Sequence, residues 1–289
     1  MRFTKMQGLG NDYIYINAHQ EHLEGVDLPQ LARVLSDRHF GIGGDGIILI
    51  MPSERADFGM RMFNADGSEG EMCGNGMRCF AKYVYEHGLT AKTKFAVETG
   101  AGPIRPELTV ENGRVTRVIV DMGRPRLARR DIPMLGSPED APVIDEPLRV
   151  GDEVVRVTCV SMGNPHCVIV VDDVHAAPVR TLGPLIEHHN AFPARTNVEF
   201  IRAVASDLLE MRVWERGSGE TLACGTGASA SVVAAALNGL AGRSCTVRLL
   251  GGDLRVEWRD DDHVLKTGPA VEVFSGEVDP KALTESRVS

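Results

Sequence analysis

The chain has 289 residues, with 31 Lys and Arg against 40 Asp and Glu, a formal charge of −9 and a hydrophobic fraction of 43%. At about 150 residues per domain, this length suggests two domains, and the composition is that of a globular protein. The acidic balance argues against a protein that tracks nucleic-acid phosphates or lies on an anionic membrane. It leaves room for a local pocket that takes a small anion. The first eight residues, Met1 to Gly8, lack the apolar core of a signal peptide. No apolar run approaches the ~20 residues of a membrane span. A soluble, cytoplasmic protein is expected, with neither nucleic acid nor membrane as partner. Six cysteines stand at 73, 79, 159, 167, 224 and 245, none in a Cys-x-x-Cys pair. Zinc-ribbon and thioredoxin signatures are therefore absent, free thiols are expected and no metal site is predicted.

Apolar periodicity predicts strands at 13–16, 46–50 and 60–63, with a helix over 28–38 between the first two. Met77, Phe80, Ala81 and Val84 repeat at helical spacing, and that helix ends near Gly88. Strands follow around 94–98, 104–110 and 115–121. The segment 123–147 is rich in proline and charge and reads as the passage between domains. Beyond it come strands at 154–160 and 168–171, a helix over 179–189, and strands at 197–201 and 208–214. A helix rich in Ala and Val over 228–240 follows, then strands at 246–250, 254–258 and 271–274.

The two halves echo each other. Gly10-Asn11 precedes Cys73 by almost the same length of chain as Gly163-Asn164 precedes Cys224. Ten residues before each cysteine stands an aromatic strand residue, Phe63 or Trp214, followed by Asn64 or Glu215. Each cysteine precedes Gly-x-Gly and a helix. A common period of about 151 residues points to a duplicated domain, on the logic of internal repeats. At a helix start, unpaired N–H groups and the positive dipole end favour thiolate over thiol. Gly74, Gly76, Gly225 and Gly227 would let a ligand approach those amides. Two such starts suit an α-amino carboxylate whose α-carbon has a sulfur on each face. One sulfur removes a proton and the other returns one, so the stereocentre inverts. Such a weakly acidic proton calls for a dry site, so domain closure is expected.

The motifs Gly8-Leu9-Gly10-Asn11-Asp12, Asn64-Ala65-Asp66-Gly67-Ser68, Cys73-Gly74-Asn75-Gly76, Gly163-Asn164-Pro165-His166, Glu215-Arg216-Gly217 and Cys224-Gly225-Thr226-Gly227 resemble the diaminopimelate epimerase family over essentially the whole chain. The resemblance implies an α/β (α+β) fold of two pseudo-symmetric domains, each a curved mixed sheet wrapped around a central helix. The expected bounds are 1–123, completed by a C-terminal strand at 270–289, and 124–269. It implies a cofactor-independent isomerase that interconverts LL- and meso-diaminopimelate for lysine and peptidoglycan synthesis, as a homodimer. Residue by residue, Cys73 and Cys224 are the acid/base pair, with His166 and Glu215 placed to tune them. Gly74, Asn75, Gly225 and Thr226 hold the reacting carboxylate. Asn11, Asn64, Asn164, Asn197, Glu215 and Arg216 bind substrate, and the Arg216 fork suits a distal carboxylate. Some members carry a polar side chain where this chain has Gly46.

Other readings remain open at this level. Gly41-Ile42-Gly43-Gly44-Asp45-Gly46 matches a dinucleotide fingerprint but precedes a strand rather than a helix, and reads as a turn. Gly225 to Ala230 opens a helix, yet its strand ends well before the glycines. Cys79, Cys159, Cys167 and Cys245 read as core, and His188-His189 as a helix cap. Proline and hydroxyproline racemases share the two-cysteine design but usually carry His at the place of Asn75. A phenazine-pathway isomerase resembles the fold without the cysteine pair. A redox sensor that closes a Cys73–Cys224 disulfide is the alternative from another class.

Overall fold

Runs of β-branched and aromatic residues become strands in the computed structural model, which describes residues 1–280. The chain divides into two compact units, Met1–Val120 with the chain from Gly268 onward, and Asp121–Thr267. The first contains β1 (Arg2–Gly8), β2 (Asn11–Asn17), α1 (Leu28–Ser36), β3 (Gly46–Met51), β4 (Phe58–Asn64), β5 (Glu69–Gly70) and α2 (Gly74–Glu86). It continues through β6 (Val97–Thr99), β7 (Gly102–Ile104), β8 (Glu107–Glu111) and β9 (Arg114–Asp121). The second contains β10 (Val143–Val150), β11 (Glu153–Ser161), β12 (Pro165–Val170), α3 (Val179–Glu187), β13 (Asn197–Ala205) and β14 (Leu208–Glu215). Then come β15 (Gly219–Thr221), α4 (Gly225–Leu237), β16 (Ser244–Leu249), β17 (Gly252–Trp258) and β18 (Val264–Gly268). The last strand, β19 (Val271–Glu277), returns to the first unit and pairs antiparallel with β1. The part of the expected 270–289 strand beyond residue 280 lies outside the described residues.

The duplication read from the sequence is present in the topology. In the first unit the strands run β19-β1-β2-β3-β4-β6-β7, with β5 hung on β4. In the second, β10-β11-β12-β13-β14-β16-β17 follows the same course, with β15 hung on β14. Corresponding pairs agree in direction: β2 with β3 and β12 with β13 are parallel, as are β4 with β6 and β14 with β16. Parallel neighbours need a crossover longer than a hairpin. In each half one crossover contains a short helix, α1 or α3, and the next contains a 13-residue helix, α2 or α4. The fold is mixed α+β, two sheet-rich halves with few helices.

The long helices are the inner ones. α4 touches β11, β12, β13, β14, β16 and β17, so its sheet curls around it. Its sequence, GTGASASVVAAAL, is apolar or small all round, as befits a helix buried on every side. α2 likewise contacts β1, β2, β3, β8 and β19, with Met77, Phe80, Ala81 and Val84 buried. The short α1 lies on the other face, where Leu31, Ala32 and Leu35 join Ile14, Ile16, Ile47, Leu49 and Phe63 in one apolar cluster. Asp27 caps α1 by accepting from the Gln30 N–H at 3.0 Å, and Pro29 fits its first turn.

Two readings change. The segment 123–147 is more than a passage: Ile132, Met134 and Val143 enter the core of the second unit. Arg129, nearly buried, grips both Glu146 oxygens at 2.7 and 2.6 Å. Its prolines hid β10, which is an edge strand where Pro147 leaves no ladder bond unmet. β1 was also missed, because five of its seven residues, including Thr4 and Lys5, are buried and no alternation marks it. Gly41 to Gly46 is the turn expected. The N–H groups of Gly41, Ile42, Gly43 and Gly44 donate to carbonyls of Asp37, Leu35, Leu35 and Ser36, closing the end of α1. Those amides are not available to a phosphate.

Gly46 pairs with Asn64 in the β3–β4 ladder, and a Cβ there would come within 2.1 Å of the Phe63 carbonyl oxygen and 2.8 Å of the Tyr13 ring. Backbone cannot yield as a flexible side chain can. Gly46→Ala is expected to destabilise the protein by about 2–4 kcal/mol through overpacking, read as a lower denaturant midpoint at unchanged slope.

Candidate active site

Each central helix begins with a cysteine at its N-cap, one residue ahead of the first helical turn. Cys73 has extended backbone (φ −128°, ψ 116°), and its sulfur accepts the Gly76 N–H at 3.3 Å. Cys224 has nearly the same backbone (φ −114°, ψ 115°) and accepts the Gly227 N–H at 3.4 Å. Sulfur here takes the place that Ser or Asp oxygen usually fills, on one of the amides a helix start leaves unpaired. Glycine at the third helical position is required by space. A Cβ at Gly76 would meet Ile48 at 2.6 Å, and one at Gly227 would meet Glu199 Oε1 at 2.7 Å.

Around Cys73 the polar groups form a chain that ends in cations. The thiol donates to Asn11 Oδ1 at 3.2 Å, and Asn11 Nδ2 donates to Asp45 at 2.8 Å. Arg38 bridges Asp45 and Asp12, at 2.9 and 2.6 Å, and Lys5 joins Asp12 at 2.5 Å. Burial would raise the Asp12 carboxyl, but the hydrogen bonds and charges of Arg38 and Lys5 outweigh it and hold it below its ordinary value. Burial, with Cys73 and Asp45 nearby, pushes the Tyr13 phenol far up, so it stays protonated. Asn75 is buried, and its Oδ1 accepts from Arg78 Nη1 at 2.8 Å. The Arg78 guanidinium is fully buried and also donates from Nε to the Pro269 carbonyl at 3.0 Å. Asn64 is the last residue of β4, and its Nδ2 donates to Ser68 Oγ at 3.0 Å across the following turn.

Around Cys224 the surroundings are drier and acidic. The Thr226 hydroxyl is 3.5 Å from the sulfur, and Asn164 Nδ2 donates to that hydroxyl at 3.3 Å. Asn164 Oδ1 lies 3.0 Å from His166 Nε2, and His166 Nδ1 lies 2.7 Å from Glu199 Oε1, with both side chains of that last pair fully buried. Burial raises the Glu215 carboxyl, against hydrogen bonds from Thr221 and Cys224 that lower it. Asn197 ties two loops together, with Nδ2 donating to the Pro165 carbonyl at 2.8 Å and Oδ1 accepting the Arg216 N–H at 2.9 Å. Arg216 Nη1 donates to the Ala194 carbonyl at 3.0 Å, on the exposed side.

Near Cys224 the second unit thus brings Thr226, Glu215 and, through Thr226, Asn164 and His166, while Asn197 and Arg216 are joined to each other and to the neighbouring loops. Near Cys73 the first unit brings Asn11, while Asn75 and Asn64 are held by Arg78 and Ser68. One expectation fails. A helix start was expected to favour thiolate at both cysteines, yet the Cys224 thiol is pushed well up, by burial first and then by Glu215 and Glu199. Desolvation and two carboxylates outweigh the dipole. Sequence reasoning missed Glu199, Asp45, Tyr13 and Arg78. The signal for Glu199 was a charge in the middle of the apolar run Val198-Glu199-Phe200. Cys79, Cys159, Cys167 and Cys245 are buried, as core residues should be. His188 caps α3 with Nδ1 3.1 Å from the Pro184 carbonyl. Among the described residues no group of His, Cys, Asp and Glu is poised for a metal ion, and no helix is long and apolar enough to cross a membrane.

Two sheet-rich halves, each wrapped on a helix that a cysteine caps, place the chain in the class of proline racemase-like folds. A solved probable proline racemase from Agrobacterium radiobacter superposes with a TM-score of 0.69 over 96% of this chain and 92% of its own, at 17% identity, a likeness of fold alone. Two relatives called diaminopimelate epimerase are far more similar in sequence. One from Moorella thermoacetica is 59% identical over 96% of this chain and 99% of its own length, and one from Heliobacterium modesticaldum is 58% identical over 96% and 99%. The diaminopimelate epimerase family model matches residues 3–128 and 158–273. The chain belongs to the diaminopimelate epimerase family.

Glu215 carries a pH signature. Its folded-state pKa lies above the unfolded value, so its contribution to stability is full below the unfolded pKa and is lost as pH rises through the folded one. Glu215→Gln, which removes that charge, is expected to melt ~2–4 °C above the parent at pH 8, with the difference closing toward pH 4. Melting curves across that range check it, and a variant that melts lower than the parent at pH 8 contradicts it.

Proposed function

We propose that this protein interconverts LL- and meso-diaminopimelate by a two-base mechanism in which Cys73 and Cys224 are the proton acceptor and donor. The observation that carries the reading is the matched pair of cysteine N-caps on pseudo-equivalent helices, each followed by Gly-x-Gly. A stereocentre is inverted when one sulfur takes the α-proton and the other delivers a proton to the opposite face. Two residues of one kind in equivalent places let the roles exchange in the reverse direction. Membership of the family, with relatives of that name at 59% and 57% identity, supports diaminopimelate over proline as the substrate.

In this reading the first-turn groups of Gly74, Asn75, Gly225 and Thr226 receive the reacting carboxylate, where helix-start amides stabilise the charge that spreads onto it. Asn11, Asn64, Asn164 and Asn197 bind the polar groups of the substrate. Glu215 and Arg216 serve its distal amino-acid end, with the guanidinium forked on the carboxylate. Glu215 and His166 also tune the sulfurs. The chemistry needs no cofactor, because thiolate and thiol are themselves base and acid. A cytoplasmic homodimer is part of the proposal, and light scattering on a sizing column should give the mass of two chains.

Proton NMR in deuterated water tests the reaction. With LL-diaminopimelate the α-proton signal should disappear as meso isomer forms, while a parallel proline sample stays unchanged. Exchange of proline alone would overturn the substrate. Cys73→Ser and Cys224→Ser should each reduce turnover by at least about 10³-fold with the fold intact, since a hydroxyl is a far weaker base than a thiolate. Near-parental turnover in either variant would remove that cysteine from the mechanism.

A further inference from the structure

A carboxylate with no part in the mechanism so far lies beside Cys224. Glu199 occupies the middle of β13, flanked by the core residues Val198 and Phe200, and is fully buried. Its Oε1 holds His166 Nδ1 at 2.7 Å, and its Oε2 has no hydrogen-bond partner among the described residues. Apolar side chains in place of such a dry pair are commonly neutral or stabilising. Stability is therefore a poor reason for a charge at this position.

The geometry gives a better one. An ideal Cβ on Gly227 would stand 2.7 Å from Glu199 Oε1 and 3.3 Å from Cys224 Sγ, so oxygen and sulfur flank the same side of the first helical turn. The charged groups about this sulfur are Glu215 at the end of β14 and Glu199 from β13, the latter held by His166 from β12. From α4 itself come the Thr226 hydroxyl and the Gly227 N–H. The helix start biases the sulfur toward thiolate, and the carboxylates bias it the other way.

We propose that Glu199 is a positioning residue that assigns Cys224 its starting role: the carboxylate, held by His166 and facing the sulfur across Gly227, keeps Cys224 as the thiol, the proton donor of the resting protein. The inference rests on the two-thiol reading, in which one sulfur has to begin with the proton. When Cys224 acts, its S–H bond breaks and that electron pair stays on sulfur. The new C–H bond forms from the electron pair of the carbanion. The starting state returns by proton exchange with water, Cys73 giving up the proton it took and Cys224 gaining one, and Glu199 beside the Cys224 thiolate favours that direction.

The test is the pH dependence of iodoacetamide labelling of Cys224 in the full chain without substrate, followed on its peptide by mass spectrometry. In the parent the midpoint should lie above the ~8.5 of an ordinary thiol. Glu199→Gln should lower it by about one unit, a tenfold faster labelling at a fixed pH below the midpoint. Glu199→Asp, which keeps the charge, should stay within ~0.3 units of the parent. Turnover of diaminopimelate by Glu199→Gln should fall at least tenfold in kcat, with KM changed less than about threefold. A Gln midpoint that stays put or rises overturns the proposal. A parental midpoint at or below the ordinary range does so too, and decides the matter alone if the Gln variant fails to fold. Labelling needs no substrate, so a parent protein inactive on diaminopimelate would sink the epimerase reading and leave this test standing.

Discussion

Everything at the two cysteines depends on the start of a buried helix. A helix leaves its first four N–H groups without intrahelical partners. At α2 and α4 those groups lie inside a curved sheet, where a cap has to come from the chain. The chain supplies sulfur, with a glycine three residues on so that the amide can reach it. The glycine is dictated by packing, since Ile48 in one half and Glu199 in the other occupy the place a Cβ would need.

The two halves share this device and differ in what surrounds it. Near Cys73 the network of Asn11, Asp45, Asp12, Arg38 and Lys5 ends in positive charge. Near Cys224 it ends in a buried carboxylate and histidine, with a second, half-buried carboxylate at Glu215. Duplication gives two equivalent frames, and the residues packed beneath each frame give the two sulfurs unlike electrostatic surroundings.

Much of the fold was legible. The strands at 13–16, 46–50, 60–63, 154–160 and 208–214 and all four helices stand where periodicity put them, because one face or both faces of each are apolar. The internal repeat became a repeated strand order. Strands β1, β10 and β18 and the short β5 and β15 escaped, β1 because it is buried on both faces with Thr4 and Lys5 inside, β10 because prolines mark the edge strand it forms. The cysteines that start α2 and α4 could be read from motif and repeat. Glu199 could not be assigned a role, since a charge in an apolar run carries no label of what it faces.

The sequence by itself determined the secondary-structure pattern, the duplication and the pair of helix-start cysteines, because these rest on spacing along one chain. The tertiary structure alone decided the surroundings of each sulfur. Whether a thiol at a helix start ionises is a balance between nearby amides, burial and neighbouring charges. At Cys224 burial tips the balance first, followed by Glu215 and then by Glu199, which reaches it from a strand well separated along the chain. Distances of a few ångströms across a sheet leave no trace in residue spacing, and electrostatic energies depend on those distances.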